Sequence, residues 1–190
     1  MTALGSVTAF QGSRRIASGT LIDVATAAKA AMAERVDPVL IFDDSSSEVL
    51  EVDFRGSEDD VRARLAPAAQ HVGRGRPKLG VVAREVTLLP RHWEWLAAQS
   101  GGASATLRRL IDEARRSAAG ERRRAQTSLY RFMTTMAGDA AGYEDAVRAL
   151  FAGDRSRFDA LIEDWAPDIR DHAWRLAPAA FGEPPLALDR

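Results

Sequence analysis

The first apolar runs of the chain, Val7–Gln11 and Arg15–Ser18, flank Gly12-Ser13 and predict two strands joined by a tight turn. Leu21, Val24, Ala28 and Met32 then recur at helical spacing. Thr20 is placed to cap that helix, with Asp23 three residues on as its reciprocal partner. Val39–Phe42 reads as a short apolar strand, and Asp43–Ser47 as turn chemistry. Val49, Val52 and Phe54 predict a further strand over Glu48–Phe54, after which Ser57 caps a helix running through Asp60. The expected order over residues 1–66 is β-β-α-β-β-α, a small α+β domain with an antiparallel sheet.

Pro67, Gly73, Gly75, Pro77 and Gly80 exclude a regular helix from residues 67–83, which read as a basic linker. Residues 84–117 predict one strand, Arg84–Leu89, and two helices, Pro90–Gln99 and Ala103–Arg116, split by Ser100-Gly101-Gly102. Trp93 and Leu96 share a face of the first helix; Leu107, Leu110, Ile111 and Ala114 share a face of the second. Residues 118–177 read as helical throughout. One helix carries Leu129, Phe132, Met133 and Met136 and ends at Gly138-Asp139. A second spans Tyr143–Phe151. A third runs from Arg155 to about Leu176, kinked or split by Pro167. Residues 178–190, rich in Pro, Gly and Ala, predict a frayed tail.

Composition adds exclusions. Apolar residues make up 46% of the 190, enough for a real core, yet no run of about 18 apolar residues exists to span a membrane. The first residues lack the pattern of a secretory signal. There is no cysteine, which removes disulfides, thiolate nucleophiles and cysteine-ligated metals and suits a cytoplasmic location. His71, His92 and His172 show no HxH or HExxH spacing, no phosphate-binding GxxxxGK[ST] loop occurs, and no Glu-x-x-His pair accompanies the acidic helix of Glu163, Asp164, Asp168 and Asp171. The expectation is a protein with no catalytic residues, no metal and no cofactor.

Charge changes the picture more. The net charge of −1 hides a segment, His71–Arg124, with 12 basic and five acidic residues, a net +7, so the rest of the chain carries −8. A basic centre between acidic flanks favours a polyanionic partner; the alternative is a solvated arginine-rich helix face. Within it, Arg74, Arg76 and Lys78 alternate with glycine and proline in GRGRPK. Such an extended chain resembles an AT-hook core, suited to the narrow minor groove of A·T-rich DNA; the alternative is a basic linker.

A single strand cannot be stable alone. Followed by two amphipathic helices, the strand Arg84–Leu89 can complete itself by pairing with a second copy across a two-fold axis. This stretch resembles the ribbon-helix-helix fold in element order, length and turn position, and such dimers lay a two-stranded ribbon in the major groove. Arg84 heads the strand. With Val86 and Leu88 turned into the dimer, Glu85, Thr87 and Leu89 face outward. Glu85 would accept only from cytosine N4 and Leu89 touch only a thymine methyl, so little sequence reading is expected. The backbone of Gly102, Ala103 and Ser104 at the second helix's N-terminus, with Arg108, would hold a phosphate. The alternative is that Val86–Leu89 joins the sheet of its own chain.

The run RGRPKLGVVAREVTLLPRHWEWLAAQSGGASATLRRLIDEARR, with FQGSRRIASGTLIDVA before it and YRFMTTMAGD after it, resembles a bacterial family catalogued as domain of unknown function 2239. The resemblance covers nearly the whole chain and implies no mechanism. The reading is therefore a homodimeric, cytoplasmic protein that binds double-stranded, A·T-rich DNA, as a transcriptional regulator or nucleoid-type factor. The second reading is a protein–protein adaptor or antitoxin-like protein without catalysis.

Overall fold

The computed structural model describes residues 5–34, 37–66 and 81–183. It is a mixed α+β fold, mostly helical, with three strands and eight helices among those residues. The chain divides into two units, Met1–Ala66 with Glu121–Arg190, and Pro67–Gly120.

In the first unit, β1 (Val7–Gln11) is the centre of an antiparallel sheet of order β2-β1-β3, with β2 spanning Arg14–Gly19 and β3 Val39–Asp43. Every residue of β1 is buried, so it has no solvent face. Side chains alternate between the two sides of a strand. Val7 and Ala9 pack with Ile41 of β3 against α1 (Leu21–Glu34) and Val61 of α2 (Glu58–Leu65). Phe10 and Phe42 turn the other way, onto α5 (Ala118–Ala137), α6 (Tyr143–Ala152), α7 (Arg155–Ile162) and α8 (Pro167–Phe181). Phe10, Phe42 and Phe132 of α5 stand 5.4–6.0 Å apart at tilted or edge-on angles, a favourable aromatic geometry. The sheet is thus sandwiched between a short N-terminal helical layer and the C-terminal helices.

The local signals explain most boundaries. The Thr20 hydroxyl accepts from Asp23 N–H (3.3 Å) and donates to its carboxylate (2.7 Å), which starts α1. Ser57 and Asp60 cap α2 reciprocally. The Asp43 carboxylate gathers the backbone N–H and hydroxyl groups of Ser45 and Ser46, which closes the turn after β3. Burial opposes ionisation of Asp43, but these donors outweigh it and hold the carboxyl below its ordinary range. Pro167 opens α8, so the last predicted helix is split as expected.

Three expectations need correction. Glu48–Phe54 is not a strand: it touches β3 through one bridge, Phe42 to Val49, then leaves the edge. Leu50, Val52 and Phe54 keep their alternation but spend it on packing beside α1, where Lys29 Nζ donates to the Phe54 carbonyl (2.7 Å). Met32 lies off the buried face of α1, which is built from Val24, Ala25, Ala28 and Ala31. The tail expected over 178–190 does not begin at Pro178: α8 continues to Phe181, with Ala177, Pro178 and Ala180 buried, because those small residues fill the core; residues 184–190 lie outside the described residues. Gly182 ends the helix in the left-handed conformation.

Candidate nucleic-acid interface

The second unit holds all the described residues singled out as DNA-binding; Arg74, Arg76 and Lys78 lie outside the described residues. It is a helical hairpin, α3 (Pro90–Ala97) and α4 (Gly102–Arg116). Pro90 fits the first turn of α3, where no N–H is needed. Gly101 (φ +85°) and Gly102 (φ +74°) turn the chain through a region that side chains with a Cβ avoid. Leu96 of α3 and Thr106 of α4 are buried; Trp93, expected on the Leu96 face, is exposed.

The strand expected over Arg84–Leu89 is not formed within the chain. A strand exists through its partner, and none of the backbone N–H groups from Val81 to Leu89 meets a backbone acceptor among the described residues. Nor does this segment join the three-stranded sheet. Arg84, Glu85, Thr87 and Leu89 are exposed. Val86 is also exposed, whereas Leu88 is half-buried and lines an apolar groove of about 270 Å³ with His92, Trp95, Leu96, Leu107 and Leu110.

At the start of α4, Gly101 supplies no side-chain cap. The Gly102 N–H is already donated to the Gln99 carbonyl (3.1 Å), so the open donors of this turn belong to Ala103 and Ser104. Arg108 sits one turn on and donates to the Ser104 hydroxyl (3.1 Å), which places a cation beside the positive end of the helix. Arg109 instead pairs along the helix with Glu113 (2.9 Å). The structure therefore brings Gly102, Ala103, Ser104 and Arg108 together. No hydrogen bond or ion pair among the described residues ties Arg84, Glu85 or Thr87 to them.

The family described as "Uncharacterized protein conserved in bacteria (DUF2239)" matches residues 6–177. The chain belongs to this family. The DUF2239 match takes in the sheet, the hairpin and most of α8 alike. No curated protein and no solved structure matches the chain.

Sequence reasoning missed a polar cluster in the first unit of this DUF2239 fold. Arg175 Nη2 on α8 donates to Thr8 Oγ1 (3.0 Å), Asp44 Oδ1 (3.1 Å) and His172 Nδ1 (3.0 Å). The Thr8 hydroxyl donates to Asp44 (2.6 Å). His172 is fully buried against Phe132 and Phe10, with its Nε2 lacking a hydrogen-bond partner among the described residues. Burial, then the neighbouring Arg175 charge, pushes its pKa down to about 3, so the ring is neutral and accepts at Nδ1. The cluster fastens α8 to the sheet. Its contacts span up to 167 positions of sequence, beyond the reach of any local pattern. No helix among the described residues is long and apolar enough to cross a membrane.

Proposed function

We propose that the chain is a DNA-binding protein that acts as a dimer through its basic centre. The observation that carries this reading is the helical hairpin with an open α4 N-terminus, preceded by a segment, Val81–Leu89, whose backbone N–H groups meet no backbone acceptor among the described residues. A segment of that kind suits pairing with its twin in a second copy, in the manner of a ribbon-helix-helix protein. In that arrangement Arg84, Glu85, Thr87 and Leu89 lie on the ribbon toward the major groove. Ala103 and Ser104 offer N–H groups to a phosphate with Arg108 beside them, while Gly102 shapes the turn. Arg74, Arg76 and Lys78 enter the adjacent minor groove as an AT-hook-like arm. The outward strand residues supply few base-reading donors, so phosphate and minor-groove electrostatics dominate and sequence preference is modest. This fits a nucleoid-type factor or a broad regulator. The second reading is a protein–protein adaptor or antitoxin-like protein that uses its C-terminal helices.

Gel shifts on A·T-rich and G·C-rich duplexes separate the two. Wild type shifts both at low salt and A·T-rich DNA more tightly. R74A/R76A loses most on A·T-rich DNA, and T87A changes little. A strong Thr87→Ala effect confined to one duplex, with no loss from the arginine pair, overturns this mechanism in favour of a specific operator. An absence of any shift at low salt removes the DNA reading and leaves the adaptor.

A further inference from the structure

We infer that the hairpin unit acquires its core only when a second copy covers it, so that its folding and the dimerisation of the chain are one event. The inference rests on the dimer of the proposed function and adds how that dimer forms.

Between residues 81 and 120 only Leu96 and Thr106 are buried. By contrast, β1 alone buries five residues in the first unit. Two buried side chains do not offset the entropy of ordering about 40 residues. Helices as short as α3, eight residues, and α4, 15 residues, are marginal in water without a packed face.

The apolar surface that would complete the core is present and uncovered. Eight of the twelve exposed large hydrophobic side chains among the described residues lie in this stretch, Val86, Trp93, Trp95, Leu110 and Ile111 among them. Because α4 is nearly twice as long as α3, its apolar stripe outruns its neighbour, and Ile111 is left 55% exposed.

A second copy is the occupant that answers both needs at once. In a two-fold antiparallel pairing, the residues around Val86 of one copy satisfy the backbone groups of the same residues in the other. The same rotation brings two identical apolar faces together, so one surface serves as both donor and acceptor of the contact. A heterologous partner would have to bring a matching strand edge and a matching apolar face.

Hydrogen exchange of the full chain, read by mass spectrometry across roughly a 100-fold dilution series alongside sedimentation, tests this. The expected result is protection of residues 90–116 at high concentration. It falls by about tenfold or more on dilution, in step with conversion of dimer to monomer, while residues 125–180 are unchanged. Ile111→Asp, at a position exposed in the single chain, should give the diluted pattern at every concentration and spare residues 125–180. Protection of 90–116 that survives dissociation overturns the inference and leaves the dimer standing. A chain that stays monomeric throughout overturns both.

Discussion

At the residue scale the most consequential side chain is His172. Its ring packs against Phe132 at a tilt (4.3 Å) and against Phe10 edge-on (5.3 Å), its Nδ1 accepts from Arg175, and the charges acting on it are those of Arg175, Asp44 and Arg15. Because burial, and then Arg175, depress its pKa from 6.5 to about 3, the unfolded chain takes up a proton first as the solution is acidified. Stability from this group is fully present above pH 6.5 and drains as pH falls toward 3, at up to about 1.4 kcal/mol per pH unit. Denaturant unfolding at about pH 7.5 and about pH 5 should show this loss in the wild type and a flatter profile in His172→Leu. Parallel profiles for the two proteins would contradict the assignment. No sequence pattern marks this histidine: it reads as a lone His on a helix, and its ring contacts come from β1 and α5, far away in sequence.

At the element scale, what is legible in the sequence is what neighbouring residues decide. The Thr20 cap, the Ser57–Asp60 box, the Gly101-Gly102 turn and the Pro167 break all act within a few positions, and each falls where the spacing predicts it. Glu48–Phe54 has the alternation of a strand, yet the pull of Leu50, Val52 and Phe54 toward α1 draws it off the sheet edge. The Pro-, Gly- and Ala-rich composition from Pro178 on reads as a frayed tail, but a buried run of small residues carries α8 on to Phe181. The strand expected over Arg84–Leu89 has the right composition but no backbone partner among the described residues. In the candidate site the α4 terminus is likewise legible, since Ser104 and Arg108 are one helical turn apart; the use of the Gly102 N–H by Gln99 is not. The capping box gives a direct check: Ser57→Ala should cost about 1 kcal/mol and raise exchange in α2. Unchanged stability and unchanged exchange would show the cap to be idle.

At the scale of the whole molecule, the two ends of the chain share one core. β1 sends Val7 and Ala9 into a cluster built within residues 7–65 and Phe10 into the cluster of the C-terminal helices, so residues 5–66 and 121–183 share the second of these interiors through Phe10 and Phe42. Phe10→Ala should therefore cost about 3–5 kcal/mol and lower the melting of both segments together. Loss confined to the N-terminal segment would contradict a shared core. The same architecture sets Pro67–Gly120, with nine basic and four acidic residues and so +5 of the +7 segment, in a unit of its own, with acidic sequence on either side. That segregation underlies the proposed DNA binding. The affinity of the full chain for a labelled A·T-rich duplex, followed by fluorescence anisotropy as salt is raised, tests it most directly. If phosphate contacts from the basic centre hold the complex, log affinity falls linearly with log salt, with a slope that loses roughly one unit for each phosphate-contacting arginine removed. A salt-independent affinity, or no binding at low salt, would contradict it.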